Sequence, residues 1–405
     1  MNILVINQPL NNRGDESAHR GLIRKLLQEH PTAQIKVLFV SNQIDSINQF
    51  KVDERVEYLI LKPIKGYSRV SIAGLMKSMH FMWHLHPTIR QQIEIYKKAD
   101  YIICAPGGIC MGGFQNKGHL FNIYLAKYLN KPLAYYGRSI GPFPTETPSQ
   151  QRFKELSLEM LKYFSYLSIR DSVSAKLADS LGIKYITTLD SAFLDAPKVE
   201  IPSEIGLRDE KFIVFVPNLL IWHHAYKGKV SKETVISFFK MLLDRLFAKY
   251  PTHKILMLPQ TFNYGTYTGD DIHFFHDVKQ AYGEDERIVI LPDTYSSDIQ
   301  QTIISKAELM VGARYHSVVF ALNNNTPFVA LSYEHKITGL LQILGKEDCM
   351  IDITRVFNSN ETMTTAADQF EAMLKTVVSD EAAMRRAKQM TTKSFEIFLS
   401  TIKNK

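Results

Sequence analysis

The chain has few cysteines and no long apolar run, and each shortage excludes a class of protein. Three cysteines among 405 residues (Cys104, Cys110 and Cys349) make neither a disulfide framework nor a metal-binding cluster. No run of about 18 apolar residues occurs, so no transmembrane helix is expected. The hydrophobic content of 45% and charged content of 22% are those of a folded globular protein. A reducing cytoplasm fits this composition.

The first residues and the net charge of the chain indicate further what kind of protein and what kind of ligand to expect. The first residues, MNILVINQPL, form a short apolar run without a basic leader, so we expect a first strand there rather than a signal peptide. Basic residues exceed acidic residues by 48 − 41 = 7. This modest excess suits an anionic small molecule or a lipid surface. It does not suit nucleic acid, which usually needs a denser basic stripe.

The length and the pattern of apolar runs predict two α/β domains. A chain of 405 residues exceeds one ordinary core and is expected to form two domains of about 200 residues each. Short apolar runs alternate with helical spacing up to residues 166–169, and the alternation restarts at 212–217 after a linker rich in Pro and Glu at 196–210. Such alternation predicts parallel strands joined by right-handed crossovers. The predicted fold is therefore two Rossmann-like domains facing a cleft.

We place the N-terminal domain at 1–198 and the C-terminal domain at 199–380, and we expect the remaining helix, 381–405, to pack back on the first domain. Ligands of such sheets bind at the carboxyl ends of the strands. The loops that follow the predicted strands therefore carry the candidate functional residues.

A basic insertion at 62–98 interrupts the N-terminal domain. It carries seven basic residues against one acid, Glu94, and interleaves them with large apolar residues and histidines. An amphipathic basic segment can lie on an anionic bilayer, here the inner face of the cytoplasmic membrane. The alternative is an insertion that packs on its own domain, and the sequence leaves both open.

The most informative segment is 312–317, at a predicted strand-to-helix junction. Arg314 can hold a carboxylate or phosphate in a bidentate fork. His316 can move a proton near neutral pH. The N-terminus of the following helix offers N–H groups to the same anion. This combination indicates chemistry on a small anionic substrate.

Three loops of the first half carry further candidates, each with a structural alternative. Residues 11–16 open the first helix, where Asp15 is a candidate cap and a plain turn is the alternative. Residues 105–113 hold four glycines, which let a backbone approach a ligand, but they match no dinucleotide or Walker pattern. After residues 166–169, Arg170 is expected to point into the cleft while Asp171 caps the next helix. The alternative for Arg170 is a surface ion pair.

Two further segments give only weak evidence of function. Residues 137–143 place Ser139 between glycines, but they run into Gly-Pro-Phe-Pro rather than a helix, so a serine hydrolase is not expected. His223 and His224 follow the strand at 212–217, near Asn218. An ordinary exposed loop and a sugar-stacking loop are both open there.

Taken together, these segments resemble the polysaccharide pyruvyl transferase family. The matching motifs, in chain order, are Asn12-x-Gly14-Asp15, Gly107-Gly108, residues 138–143, Ile169-Arg170-Asp171, residues 258–260 with Asp270-Asp271, Arg314-Tyr315-His316 and Ser332-Tyr333-x-x-Lys336. The resemblance implies a glycosyltransferase-B-like (GT-B-like) frame. It also implies transfer of pyruvate from phosphoenolpyruvate onto sugar hydroxyls as a cyclic ketal.

The resemblance also implies which residues act. Arg170, Arg314 and His316 would hold phosphoenolpyruvate, with the Tyr315 backbone beside them, and Arg314 and His316 would be catalytic. The remaining substrate-binding candidates are Asn12, Gly14, Asp15, Gly107, Gly108, Arg138, Ser139, Asn218 and Gln260. Three features depart from the family pattern: Arg138 stands where glutamine is frequent, Pro106 replaces a glycine, and an acidic residue common after the glycine loop is missing around Gly112-Gly113.

The chemistry agrees with these residue types. Phosphoenolpyruvate carries a carboxylate and a phosphate, so two separated arginines converging across the cleft are natural clamps, with His316 as general acid. This route needs no metal and no cofactor, since phosphoenolpyruvate is a co-substrate, and a sugar or lipid-linked oligosaccharide is the acceptor. Two other functions stay open: a nucleotide-sugar-dependent glycosyltransferase on the same frame and a non-catalytic glycan-binding relative. The oligomeric state is equally open.

Overall fold

The computed structural model describes residues 1–43, 47, 53–113, 115–207, 210–223, 226–262 and 270–403. The chain divides into two compact units. Unit 1 comprises Met1–Leu10, Ala18–Asp195 and the chain from Gln389 onward, and unit 2 comprises Asn11–Ser17 and Ala196–Lys388. The division after Asp195 lies at the start of the predicted linker. Unlike the predicted domains, unit 2 takes in a segment from near the N-terminus.

Unit 1 is built on a parallel sheet. Its strands are β1 (Asn2–Ile6), β2 (Gln34–Val40), β3 (Val56–Leu61), β4 (Tyr101–Cys104), β5 (Gly107–Met111), β6 (Leu133–Ile140), β7 (Tyr166–Ile169) and β8 (Ile186–Thr187). Its helices begin with α1 (Arg13–Glu29), shared with unit 2, and continue with α2 (Tyr67–Met76), α3 (Pro87–Lys97), α4 (Lys117–Tyr128), α5 (Pro148–Tyr163) and α6 (Ser172–Ser180). The strand order is β3-β2-β1-β4-β6-β7-β8, and β5 pairs with β6.

Unit 2 has the doubly wound order of a Rossmann sheet. Its strands are β9 (Phe212–Val216), β10 (Lys254–Met257), β11 (Ile288–Ile290), β12 (Leu309–Gly312), β13 (Phe328–Ser332) and β14 (Met350–Asp352). Its helices are α7 (Lys232–Lys249), α8 (Asp271–Ala281), α9 (Ser297–Lys306), α10 (Tyr315–Asn323), α11 (His335–Leu344), α12 (Asn360–Met373) and the first turns of α13 (Glu381–Lys403). The order β11-β10-β9-β12-β13-β14 reverses between β9 and β12. Ligands of such sheets bind beyond the carboxyl ends of the strands at this reversal.

The sheet of unit 1 is covered on both faces, which explains its continuous apolar strands. Alternate side chains of β1 enter two different clusters: Leu4 and Ile6 join one, and Ile3 and Val5 join the other. The second cluster includes Phe398 and other apolar residues of α13 from Gln389 onward. The last helix of the chain thus belongs to the core of unit 1.

Helix α1 corrects one prediction from the sequence. The helix begins at Arg13, so Asp15 lies inside its first turn and does not cap it. The cap is Asn12, whose Oδ1 accepts hydrogen bonds from the N–H groups of Gly14 (2.8 Å) and Asp15 (3.2 Å). An Asn side chain satisfies these otherwise unpaired donors as well as an Asp does.

The basic insertion and the glycine-rich loop are more regular than the sequence indicated. Helices α2 and α3 flank a 3-10 turn, His80–Leu85, and Trp83 of this turn is fully buried in the core of unit 1. Residues 107 to 111 form the short strand β5 rather than an open loop. Cys104 and Cys349 are buried, and the Cys110 side chain lies outside the described part of the chain.

Within the described ranges, no helix is long and apolar enough to cross a membrane. The same ranges contain no group of three or more His, Cys, Asp or Glu residues arranged to hold a metal ion.

Candidate active site

The loops after β9, β10 and β12 bring three polar side chains to the reversal point of the unit 2 sheet. Asn218 follows β9, Gln260 follows β10 and Arg314 follows β12. Asn218 and Gln260 are almost fully buried, at 0% and 1% exposure. Buried polar groups cost free energy unless they are hydrogen-bonded. Among the described residues, both amide atoms of Gln260 have no hydrogen-bond partner, so this amide is available to a ligand.

Arg314 is held by a buried carboxylate. Its Nη2 donates to Asp271 Oδ1, and the Asp271 side chain is only 2% exposed. The other carboxylate oxygen, Oδ2, accepts from the backbone N–H groups of Gln260 and Thr261, both at 2.9 Å. Asp271 therefore fixes the guanidinium and the loop after β10 together.

The Asp271 carboxylate also keeps Arg314 charged. Burial is the largest single influence and would lower the pKa of Arg314, but Asp271, together with Tyr333 and Glu334, raises the pKa above its usual value. The Arg314 Nε–H has no hydrogen-bond partner in the described part of the chain. A charged arginine that keeps an uncommitted donor suits the binding of an anion.

His316 lies in the first turn of α10 and packs against the first turn of α1. A β-carbon added at Gly14 would lie 1.8 Å from both Cγ and Nδ1 of His316, far inside the van der Waals limit. Only a residue without a side chain allows this approach. The Tyr315 ring lies edge-on to the imidazole at 5.0 Å. The sequence predicted both segments as substrate loops, and within unit 2 they are neighbours.

The segment Asn11–Ser17 is fastened to unit 2 by its backbone. The Arg13 N–H donates to Gln260 O at 2.9 Å, and the Phe262 N–H donates to Asn11 O at 3.2 Å. The Arg13 guanidinium forms a buried ion pair with Glu16 at 2.6 Å and lies 4.6 Å from the centre of the Phe262 ring. Arg13 thus positions Gly14, a role that the sequence did not reveal.

An aromatic group surrounds Asn218. The Trp222 Nε1 donates to Asn218 Oδ1 at 3.2 Å, which orients the amide. His223 packs edge-on against Tyr333 at 5.3 Å. Burial, and then the Glu334 carboxylate, raise the pKa of Tyr333 well above its usual value, so its phenol stays protonated. His223 is therefore not part of an ordinary exposed loop, and His224 lies outside the described residues.

Arg170 of unit 1 is also held by a buried carboxylate. Its Nη1 donates to Asp190 Oδ2, and the two side chains are only 4% and 0% exposed. The alternative of a surface ion pair is therefore wrong. The predicted cap is confirmed, since Asp171 Oδ1 accepts from the Ser174 N–H at 2.8 Å. Asp190, which follows the short strand β8, was not anticipated.

Arg138 braces the glycine-rich segment of unit 1. The side chain is 1% exposed, and its guanidinium donates to the carbonyl oxygens of Gly108 (3.1 Å), Asn7 (3.3 Å) and Ala105. Its donors are thus directed at the backbone that carries Gly107 and Gly108. Ser139 lies within β6 with its side chain fully buried.

Comparison with known families identifies the family of the chain. The sequence profile of the polysaccharide pyruvyl transferases matches residues 12–335. The chain belongs to this family. Among curated proteins, the amylovoran biosynthesis protein AmsJ of Erwinia amylovora is 23% identical over 384 residues, 88% of this chain and 89% of that protein.

Solved structures show the same architecture at low identity. The putative UDP-N-acetylglucosamine 2-epimerase from Listeria monocytogenes has a TM-score of 0.57 and 10% identity, covering 99% of this chain and 95% of that chain. The UDP-GlcNAc 2-epimerase from Neisseria meningitidis, bound to UDP-GlcNAc, has a TM-score of 0.54 and 12% identity over 100% of both chains. These likenesses confirm the predicted GT-B-like fold with two Rossmann-like domains.

The candidate residues from the sequence fall in two groups within the structure. In unit 2, Asn12, Gly14, Asp15, Asn218, Gln260, Arg314, Tyr315 and His316 belong to the loops and helix starts described above. In unit 1, Gly107, Gly108, Arg138, Ser139 and Arg170 lie at or near the carboxyl ends of β4, β6 and β7. The positioning residues Arg13, Asp190 and Asp271 were missed. Of these, only Asp271 gave a signal, as the second member of an Asp-Asp pair.

Proposed function

We propose that this transferase moves pyruvate from phosphoenolpyruvate onto two hydroxyls of one sugar as a cyclic ketal. The acceptor sugar would belong to an exopolysaccharide or to its lipid-linked precursor. Membership of the polysaccharide pyruvyl transferase family supports the pyruvyl transfer. The similarity to a protein of amylovoran biosynthesis supports an exopolysaccharide as the acceptor.

The observation that carries the proposal is the pairing of Arg314 and His316 at one strand-to-helix junction. Asp271 keeps Arg314 charged and fixed, while the Nε–H remains available to an anion. The same junction is the N-terminus of α10, where the helix dipole favours negative charge. A phosphate or carboxylate of phosphoenolpyruvate bound there would lie beside the imidazole.

The chemistry then follows from the two groups. Protonated His316 gives its proton to the methylene carbon of phosphoenolpyruvate, and one sugar hydroxyl attacks the adjacent carbon. The carbon–oxygen bond to phosphate breaks, and the second hydroxyl of the same sugar attacks the same carbon to close the ketal. One hydroxyl proton returns to His316, and the other leaves with phosphate. Arg314 and the helix N-terminus stabilise the charge on the departing phosphate.

Other side chains have proposed supporting roles. The Gln260 amide offers donors and an acceptor to the substrate at the reversal point of the sheet. Arg170 remains the candidate for the second anionic group of phosphoenolpyruvate. Its pairing with Asp190 holds the guanidinium in a fixed orientation.

A binding and turnover experiment tests the proposal. Titration calorimetry of the full chain should show phosphoenolpyruvate binding, weakened roughly 10- to 100-fold in Arg314→Ala because a charge-assisted hydrogen bond is lost. With an exopolysaccharide oligosaccharide present, wild type should release phosphate, and His316→Ala should bind phosphoenolpyruvate but release little phosphate. Stabilisation by uridine diphosphate and not by phosphoenolpyruvate would favour a nucleotide-sugar transferase instead.

A further inference from the structure

Almost half of the exposed large apolar side chains among the described residues lie on or beside the basic insertion of unit 1. Eleven large apolar side chains are exposed among the described residues, and five of them lie on or next to the basic insertion. These five are Ile64, Met79, Phe81, Leu85 and Tyr128. Phe81 and Leu85 are 62% and 72% exposed. Single exposed apolar residues are normal, but a cluster marks an interaction surface.

The geometry of the 3-10 turn His80–Leu85 explains why these side chains point outward. With three residues per turn, His80 and Trp83 share one side, and Phe81 and Leu85 fall on the other two. Trp83 is fully buried, and its ring lies 5.2 Å from the Phe121 ring centre. Because the Trp83 side chain is fixed in the core, the side chains of Phe81 and Leu85 point toward solvent.

The anchor of the turn is tight. The Trp83 Nε1 donates to Ser71 O at 3.2 Å. A β-carbon at Gly74 would lie only 2.2 Å from the same Nε1, so helix α2 and the indole are in close contact. The Tyr128 hydroxyl is 3.0 Å from His84 Nε2. Phe81 and Leu85 are thus presented by a fixed scaffold rather than by a loose loop.

Hydrogen bonds bring the start of the insertion to the same place. The Thr88 hydroxyl donates to Lys62 O and accepts from the Ile64 N–H, both at 3.4 Å. Lys62 and Ile64 therefore lie next to Thr88. This residue is in the first turn of α3, three residues after Leu85.

The segment that carries these apolar side chains has charged residues of one sign only. Residues 58–93 contain five basic residues and no Asp or Glu. All five (Lys62, Lys65, Arg69, Lys77 and Arg90) are exposed. The acids of the neighbouring helix α5, Glu155 and Glu159, are paired with Arg152 and Lys127. Exposed apolar side chains inside a basic rim complement an anionic lipid surface.

We propose that Ile64, Met79, Phe81 and Leu85, with the rim of Lys62, Lys65 and Lys77, form a docking surface for an anionic lipid bilayer. Phe81 and Leu85 enter the headgroup region, and the lysines contact lipid phosphates. The proposal is independent of the pyruvyl transfer, since vesicle binding is measured without substrate.

Co-sedimentation of the full chain with vesicles tests the proposal. Wild type should bind vesicles that contain phosphatidylglycerol, bind pure phosphatidylcholine vesicles far less, and dissociate at high salt. Lys62→Gln with Lys65→Gln should weaken binding about fivefold for each charge removed. Phe81→Ser with Leu85→Ser should weaken it at least about tenfold, because the apolar side chains no longer leave water.

Matched controls lie in unit 2. Val378 is 69% exposed and the Lys375 side chain 65% exposed, so Val378→Ser with Lys375→Gln removes the same chemistry elsewhere. This double variant should bind vesicles like wild type. Equal binding of every variant, binding that ignores lipid charge, or no binding to either vesicle would overturn the proposal. A change of oligomeric state in Phe81→Ser with Leu85→Ser, without any change in vesicle binding, would assign the surface to a protein partner instead.

Discussion

Gly14 and the imidazole of His316 occupy adjoining space in unit 2, with no room for a methyl group between them. The two residues come from the first and the second-to-last of the matching motifs, and each lies in the first turn of a helix. The glycine of the Asn12-x-Gly14-Asp15 motif thus sets the position of the proposed general acid.

Gly14→Ala should therefore displace the His316 side chain while leaving both helices formed. A misplacement of about 1 Å can cost roughly 100-fold in rate, and we expect a loss of that order in phosphate release. The affinity for phosphoenolpyruvate should change less, because the atoms nearest the added β-carbon belong to His316 and not to Arg314. Gly118→Ala is the control, since its β-carbon would meet only Asn116 Oδ1, at an ordinary 3.5 Å. Wild-type turnover in Gly14→Ala would show that His316 need not occupy this position.

Asp271→Asn should weaken both the fold of unit 2 and phosphoenolpyruvate binding. Removing one charge from a buried pair costs about 3 to 5 kcal/mol of unfolding free energy, and a neutral amide that still hydrogen-bonds should lose somewhat less. Urea unfolding and calorimetry measure the two effects. The adjacent Asp270→Asn is the control, because Asp270 caps α8 and Asn caps equally well. If Asp271→Asn binds phosphoenolpyruvate as wild type does, Asp271 does not position Arg314 for the substrate.

Arg138→Gln introduces the residue that the family resemblance leads us to expect at this position, and it should destabilise this protein. The guanidinium donates to the carbonyl oxygens of Gly108, Asn7 and Ala105, and a shorter amide cannot reach all three. We expect a loss of about 2 to 3 kcal/mol in urea unfolding, because hydrogen bonds from charged groups contribute about that much. The exposed Arg385→Gln on α13 serves as the comparison. A variant as stable as wild type would mean that the segment does not depend on Arg138.

The buried His19 should make stability depend on pH. Burial, and then the Arg20 charge, lower the pKa of His19 to about 3, so the folded protein holds it neutral. The unfolded chain takes up a proton below about pH 6.5, which lowers stability as the pH falls from 6.5 toward 3.

Between pH 7.5 and 5.5 this effect amounts to about 1.4 kcal/mol. His19→Gln should therefore lose about that much less unfolding free energy than wild type over this interval, as measured by urea unfolding at both pH values. His276→Gln, at an exposed position, should follow wild type. Parallel pH profiles for wild type and His19→Gln would mean that folding leaves the pKa of His19 unchanged.

Local patterns were enough to predict most of the sheet and the position of the proposed acid. The apolar run at β12 and the helical run after it placed Arg314 and His316 at a junction, which the structure confirms. The apolar run of a buried strand and the spacing of a helix each extend over only a few residues, so both can be recognised in the sequence alone. Helix α10 begins at Tyr315, inside the segment 312–317, which the sequence places at the junction because Tyr315 and His316 break the apolar pattern.

The partners of these residues could not be read from local pattern. Asp271 lies 43 positions from Arg314, and Gly14 is farther still from His316. Such contacts depend on where crossovers deliver each loop, which no short window encodes. The helices of the basic insertion were missed for a related reason. Their position depends on the burial of Trp83, and the interleaved histidines hide the period of the helices.

The assignment of Asn11–Ser17 to unit 2 has a consequence for anyone who divides this protein. A single cut after Asp195 would give a C-terminal fragment that lacks Gly14, Arg13 and the hydrogen bonds that they make. Such a fragment would be an incomplete half, and a synthetic peptide covering the missing turn is the reagent that could complement it.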